Sequence, residues 1–454
     1  MNSLHLKSFT RCKRKAWLDF KGKKSYEVWS PHKAIDKINQ FQIFSEFCNS
    51  DLYTGLKACE NGYQGVIGLK IKGNLFQNIN AEIRPQLLVK TKGKSKWGQY
   101  KYLPAVYKLG HKTTKEHLFD LAFSSMLLES FQESKIEKGL VISSFDRKVV
   151  NVEEIYLNKK LRKKVLNVLL SLNACLEGFM PEITQDRKKC TICSWQKFCD
   201  KEAKDKGYLT DIDGIGSKTA SLLITNGISD TQTLASYSEK QLGDKLSKFN
   251  DQKYEKASLF VKQAQAYISG EPYRILNKNY TNDLLKKICS GFFIFDIESN
   301  PDDKHDFLYG FLKINNLSTK KEEHIYKPLL NLKNNKRESY RKIIEILFSE
   351  KEWPVLHYGE TEKIAIINMA KNLNLSLEEI DLLASRFIDL HTLIRKSWIL
   401  PLKNYGLKTV SNWLGFEWMQ KNVSGSKALY WWIQYQITEN EIFLKKIIQY
   451  NKDD

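Results

Sequence analysis

The stretch GFFIFDIES, residues 291–299, carries five uncharged residues and then two carboxylates, Asp296 and Glu298, one residue apart. An aromatic and β-branched run of this kind predicts a buried strand. Residues two apart on a strand share a face, about 6.5–7 Å from one another. Two like charges so placed repel each other unless a cation sits between them, and a divalent metal ion is the usual cation. The plainer alternative is a pair of solvated acids at a strand end. The residues downstream favour the metal. HDFLYGFLKI (305–314) predicts a second strand, antiparallel to the first. WPVLHYGETEKIAIINMA (353–370) reads as an apolar strand at Val355 and Leu356, a turn, and an amphipathic helix with Glu362 at its start. SRFIDLHTLIRKSW (385–398) places Asp389 at another strand end. IIQYNKDD (447–454) sets Tyr450 and Asp454 four residues apart on a helical stretch. His357 and Asp389 suit a core or capping role as well as a place in the site.

A second constellation is sulfur. KKCTICSWQKFCD spaces Cys190, Cys193 and Cys199 closely, and Cys12, in SFTRCKRKAWLDF, is the best candidate for a fourth thiolate. Four cysteines suit zinc or a [4Fe–4S] cluster. One distant cysteine with a local trio fits an iron–sulfur staple better than the two local pairs usual for structural zinc, and zinc stays open. Cys48, Cys59, Cys175 and Cys289 lack such spacing and are expected to fill cores as small apolar side chains.

A third is glycine. LTDIDGIGSKTASLLITNGISDTQTLASYS (209–238) sets Gly214 and Gly216 between apolar Ile212 and a helical run. This reads as a helix–hairpin–helix. Its glycines allow close approach to a phosphate, the helix start offers N–H groups, and Ser217 and Lys218 add contacts. Such contacts grip a backbone without reading sequence. An ordinary glycine turn between helices is the alternative.

The elements that must position these groups fall into three blocks: 1–205, mixing helices and strands; 206–285, helical; and 286–454, alternating strands and helices, with 331–339 (NLKNNKRES) as a loop. The chain has 454 residues and a formal net charge of +20. The excess is local: residues 1–207 hold 38 Lys+Arg against 21 Asp+Glu, the remainder 34 against 31. A polyanion such as nucleic acid is the natural partner of the basic part, and a solvated lysine-rich surface is the alternative. No stretch reaches the ~18 apolar residues of a membrane helix. RCKRK (11–15) interrupts any signal-peptide core, so a cytoplasmic protein with reduced cysteines is expected.

TRCKRKAWLDF with the later cysteine trio resembles the iron–sulfur nucleases of the RecB-like PD-(D/E)xK group, including the CRISPR-associated RecB-like exonucleases. That resemblance implies an acid near EIRPQLLVK, an acid two residues before a lysine in YLPAVYKLG, and a Gln-x3-Tyr helix. Here Gln86 stands for the first acid and Val106 for the second. Lys108 survives, and Asp120 and Ser124 replace Gln and Tyr. Neutral Gln and apolar Val cannot hold a cation, so this domain is expected to be inactive, its basic surface still able to bind DNA. Glu82 is the nearest acid that might compensate. The order of the C-terminal acids resembles the ribonuclease H-like DEDD exonucleases, and the whole chain resembles the RecB-like bacterial nucleases that end in a YprB-type domain.

These resemblances imply an α/β multidomain chain: a degenerate PD-(D/E)xK fold, a helix–hairpin–helix middle and a ribonuclease H-like mixed sheet. They imply a 3′–5′ exonuclease with two Mg2+ or Mn2+ ions. Asp296 would bridge the ions, Glu298, Glu362 and Asp454 would complete the cage, and Tyr450 would orient the attacking water. Tyr358 and Glu362 stand where the family has Asn and Asp. Asp454 is the last residue, and chain ends fray, so a ligand there is expected to be loosely held. DNA is expected over RNA. The alternative function is a non-catalytic nucleic-acid-binding protein derived from a nuclease.

Overall fold

The computed structural model describes residues 1–75, 79–110, 112–145, 148–247, 256–275, 280–288, 290–301, 304–315, 323–332 and 335–454. The chain divides into two compact units, Met1–Lys201 and Glu202–Asp454. The middle and last blocks expected from the sequence lie together in the second.

The first unit is built on a six-stranded sheet of order β1-β2-β5-β6-β7-β8, with β3 and β4 forming a separate hairpin. The strands are β1 (Tyr53–Thr54), β2 (Gly65–Ile67), β3 (Ile71–Leu75), β4 (Ile79–Ile83), β5 (Leu87–Ser95), β6 (Gly98–Leu109), β7 (Lys138–Phe145) and β8 (Lys148–Tyr156). Alternation along β5 sorts its side chains by face. Leu87 and Val89 pack with Ile43 and Phe44 of the helix Pro31–Cys48. Leu88 packs on the opposite core with Leu121, Phe123 and Leu128 of the helix Lys115–Gln132 and Val165 and Leu169 of the helix Lys159–Glu177. Cys48 and Cys59 are buried, as core-filling cysteines should be. Cys175 is only half-buried, with its Sγ 3.7 Å from the Lys13 carbonyl, so it fills no core. Cys289 lies outside the described residues.

In the second unit, residues 209–247 and 256–269 form short helices around a core of Leu209, Ile212, Ile215, Leu223, Phe260 and Val261. Then come β9 (Tyr273–Arg274) and the strands of a mixed sheet, β10 (Gly291–Asn300), β11 (His305–Asn315), β12 (Glu323–Leu330), β13 (Val355–His357) and β14 (Phe387–Asp389); β15 (Trp398–Ile399) pairs with β9. The sheet order is β12-β11-β10-β13-β14. β11 runs antiparallel to β10, while β13 and β14 run parallel to it. The strand with the two acids is therefore central.

Period-two alternation decides what each face of β10 carries. Phe293 and Phe295 join Tyr309, Phe311 and the helices Lys336–Phe348 and Thr361–Asn372. Burying each such ring contributes about 1.5–3 kcal/mol. Phe292 points to the other face, beside Ile314 and Leu356. Asp296 and Glu298 share its parity and meet the helix Glu441–Asp453. The expected loop at 331–339 is in part helix. Asn335 caps a helix that starts at Lys336, its Oδ1 accepting from Glu338 N at 3.4 Å. The lysine-rich composition reflects an exposed helical face, since Lys and Glu are good helix formers.

Candidate metal centre

Asp296, Glu298 and Asp454 each present a carboxylate oxygen, and the three oxygens lie within 4.8 Å of one another. Among the described residues this is the only such group of three or more His, Cys, Asp or Glu. Strand parity brings the first two together. The third arrives on the far end of the helix Glu441–Asp453, which lies across β10. Glu298 is buried, while Asp296 and Asp454 are partly buried.

Close approach of helix and sheet depends on one glycine. Gly310 on β11 pairs with Asp296, and a Cβ there would stand 1.8 Å from Asn451 Oδ1. In the space left by the missing side chain, Asn451 donates from Nδ2 to Asp296 at 2.6 Å and accepts from the Tyr326 hydroxyl at 2.9 Å. Asp454 is not frayed. Its Oδ1 accepts from Trp418 Nε1 at 2.6 Å, its backbone N–H bonds Tyr450 O at 3.0 Å, and its side chain hydrogen-bonds the buried Tyr450 hydroxyl. These bonds hold Asp454 in place, in contrast to the loosely held ligand expected from the sequence. The Tyr450 hydroxyl, expected to orient water, faces Asp454. Lys408 Nζ lies 4.0 Å from Asp454 and 4.2 Å from the Tyr450 ring centre, and donates to Val423 O at 2.7 Å.

The electrostatics are those of a site short of positive charge. Burial, then Asp454 and Glu362, push the Asp296 carboxyl up to about 7. Glu298 rises well above the usual carboxylate range through burial and then its two neighbours. Burial raises Asp454, opposed by Tyr450, Lys408 and Trp418. Burial raises the Tyr450 hydroxyl, and the nearby acids add to it. Burial lowers Lys408, while the same acids oppose the change.

Glu362 stands in the first turn of its helix, buried, close enough to act on Asp296 but outside the tight trio. Its Oε2 and both ring nitrogens of buried His357 have no hydrogen-bond partner, and Nδ1 of His357 is 3.6 Å from that Oε2. Three orphaned polar atoms and three converging acids fit a divalent cation. Asp389 is a helix cap: it accepts from Gly359 N, His391 N and Thr392 Oγ1. Tyr358 donates to Tyr405 O and takes no place among the acids. Sequence reasoning missed Asn451, Trp418 and Lys408. Asn451 adjoins Tyr450 and was legible as a polar residue on a helix of known direction, whereas Trp418 and Lys408 lie in a segment without any motif.

The corresponding region of the first unit differs. Gln86 accepts from Gln40 Nε2 at 2.6 Å and Tyr107 N at 3.0 Å, and donates to Asp120 at 3.3 Å. Lys7 pairs with Asp120 at 2.9 Å. Val106 is buried. Lys108, expected to touch nucleic acid, is 3% exposed and donates to Thr113, so it is not a surface contact. Ser124 is buried. Glu82 is answered by Lys70 and Arg84 and compensates for nothing.

Cys12, between the helices Ser3–Arg11 and Lys13–Lys21, and Cys190, Cys193 and Cys199 line one cavity of about 110 Å³ with Arg14 and Lys15. Burial raises the thiols of Cys190, Cys193 and Cys199. Gly214 (φ +79°) turns the chain ahead of the helix Ser217–Thr225, whose N-cap is Gly216; Gly214, Gly216 and Lys218 are exposed.

A five-stranded mixed sheet, with acids on the central strand met by an acid from a late helix, is the arrangement expected of an RNase H-like domain. Residues 293–454 match the RNase_H_2 family model of the RNase_H superfamily. The match spans less than half of the chain and assigns its C-terminal domain. No curated protein matches the sequence. A domain of this superfamily points to nucleic-acid processing of the nuclease type. Among the described residues no helix is long and apolar enough to cross a membrane.

Proposed function

We propose that the C-terminal domain is a metal-dependent nuclease that removes nucleotides from a 3′ end. The observation that carries this reading is the convergence of Asp296, Glu298 and Asp454 to within 4.8 Å. These three hold Mg2+ or Mn2+, with Glu362 as a further acid beside Asp296. When bound, the ions supply Lewis-acid activation of the phosphodiester and of water. The chain's own part is to hold charge in place. Asn451 fixes the Asp296 carboxylate, and Trp418 and the Tyr450 hydroxyl fix that of Asp454. His357 faces Glu362, and the Lys408 ammonium adds a positive group at the edge where a phosphate would enter. Donors placed behind metal ligands in this way orient them.

The hairpin at Gly214, Gly216, Ser217 and Lys218 is proposed to grip the nucleic-acid backbone. Its neighbour Asp213 is neutralised by Arg395 at 2.7 Å, which removes one source of repulsion. The cysteines Cys12, Cys190, Cys193 and Cys199 are proposed to hold a [4Fe–4S] cluster. The support for this reading is that all four line one cavity.

End-labelled DNA and RNA strands, incubated with protein and Mg2+ or Mn2+, test the main reading. Stepwise shortening that Asp296→Asn abolishes is expected. Strands that stay intact while still retarded on a gel would leave a binding protein only. Anaerobic purification without visible-region absorption would replace iron–sulfur by zinc.

A further inference from the structure

Beside the carboxylates runs a segment whose chemistry the metal centre does not use. At the end of the helix Leu407–Trp413, Trp413 is 38% exposed, and between it and the helix Gly425–Thr438, Phe416 is 45% and Met419 76% exposed. Solvent-facing aromatic and sulfur side chains in one short stretch are costly unless something covers them. The segment is fixed to the site. Phe416 packs edge-on against Trp418 with ring centres 4.9 Å apart, and Trp418 is the residue that holds Asp454. Met419 N bonds Asp453, and Gln420 donates to Lys446 O, so the segment lies along the helix that carries the metal ligand.

That helix adds charge. Lys446 and Lys427 both stand over the Trp431 ring, at 5.9 and 5.3 Å, and neither makes an ion pair among the described residues. Lys427 is pulled down by burial and then by Lys446, so the two ammonium groups feel each other. Two such cations held together by a tryptophan form a ready phosphate contact. Lys446 lies about 12 Å along the helix from Asp454, at 1.5 Å per residue, a distance a few nucleotides span.

We propose that Trp413 and Phe416 stack the bases, and Lys427 and Lys446 contact the phosphates, of an unpaired strand whose end lies at the carboxylates. The occupant is single-stranded nucleic acid. Exposed rings accept any base and nearby cations the backbone, whereas a duplex hides its base faces. This rests on the nuclease reading of the same domain and names the strandedness of its substrate.

The test uses the full chain in EDTA, so that binding is read without cleavage. The probe is a short fluorescent oligodeoxythymidine, followed by anisotropy. Trp413→Ala with Phe416→Ala is expected to weaken binding about 5- to 150-fold per base unstacked. Lys427→Ala with Lys446→Ala is expected to lower the slope of log K against log salt by about 1.4, at about 0.7 for each phosphate of a single strand that is no longer neutralised. Affinity for a blunt duplex should not change. Because other basic surfaces could mask these effects, an iodouracil-substituted strand is photocrosslinked to wild type, and the labelled peptide should include Trp413 or Phe416. Unchanged anisotropy in both variants, or crosslinks confined to other segments, would overturn the proposal. So would a wild-type dimer in sedimentation that Trp413→Ala with Phe416→Ala dissolves, since the patch would then seat a second copy. Intact strands under Mg2+ would count against cleavage alone and leave these readouts standing.

Discussion

The two sheets of this protein treat buried charge in opposite ways. In the first unit, the buried Asp120 carboxylate is answered by Lys7 and the Gln86 amide. In the second, Asp296, Glu298 and Asp454 crowd together, and among the described residues the cation near them is Lys408, 4.0 Å from Asp454. A balanced site needs nothing further, whereas an unbalanced one costs stability until a cation arrives. The contrast teaches that charge deficit, more than the presence of polar groups, marks a candidate metal centre.

The comparison can be broken most directly at its strongest point. Asp296→Asn keeps shape and removes charge, and should cut metal-dependent cleavage by more than the 10–100-fold typical when only a residue behind a ligand is changed. Asp120→Asn should leave cleavage unchanged. A cleavage assay on both variants decides whether the second sheet alone is active. Placing a carboxylate in the balanced region should be punished. Val106→Asp buries an acid beside apolar neighbours, and a loss of about 3 kcal/mol in denaturant unfolding is expected.

Asn451→Ala removes the amide that fixes Asp296, and Mn2+ affinity read by titration should fall about 10–100-fold. Gly310→Ala should do the same by displacing Asn451, with unchanged affinity counting against the close approach of helix and strand.

Acidity gives a subtler contrast. The Asp296 carboxyl is raised to about 7 from an ordinary value near 4, so the folded, metal-free state binds its proton more tightly than the unfolded chain does. Its contribution favours folding at low pH and is lost as pH rises from about 4 through 7. The melting temperature of metal-free protein should therefore fall across that window, more steeply in wild type than in Asp296→Asn. Added Mn2+ should restore it at neutral pH. The smallest effect is expected from Trp418→Phe, which removes one hydrogen bond to Asp454 and should cost about 1–2 kcal/mol.

Much of the second sheet was legible because strand alternation is a local property. Phe293 and Phe295 announced one buried face, and Asp296 and Glu298 had to share the other. Glu362 at a helix start and Asp389 at a strand end were likewise visible. The roles were harder to read: Asp389 is occupied as a cap by Gly359, His391 and Thr392. The fate of Lys108 was also hidden, since a lysine after an apolar run reads the same whether its strand is central or exposed.

The sequence by itself determined most strands of the second sheet and which acids share a strand face. Those facts come from periodicity and residue type, which act over a few neighbours. Only the tertiary structure decided that Asn451 reaches Asp296 across 155 residues, that Gly310 makes room for it, and that Trp418 secures Asp454. Such contacts depend on the packing of a helix against a sheet. That packing is set by the summed burial of many side chains, Trp432, Ile447 and Tyr450 among them, and leaves no mark on any short stretch of sequence.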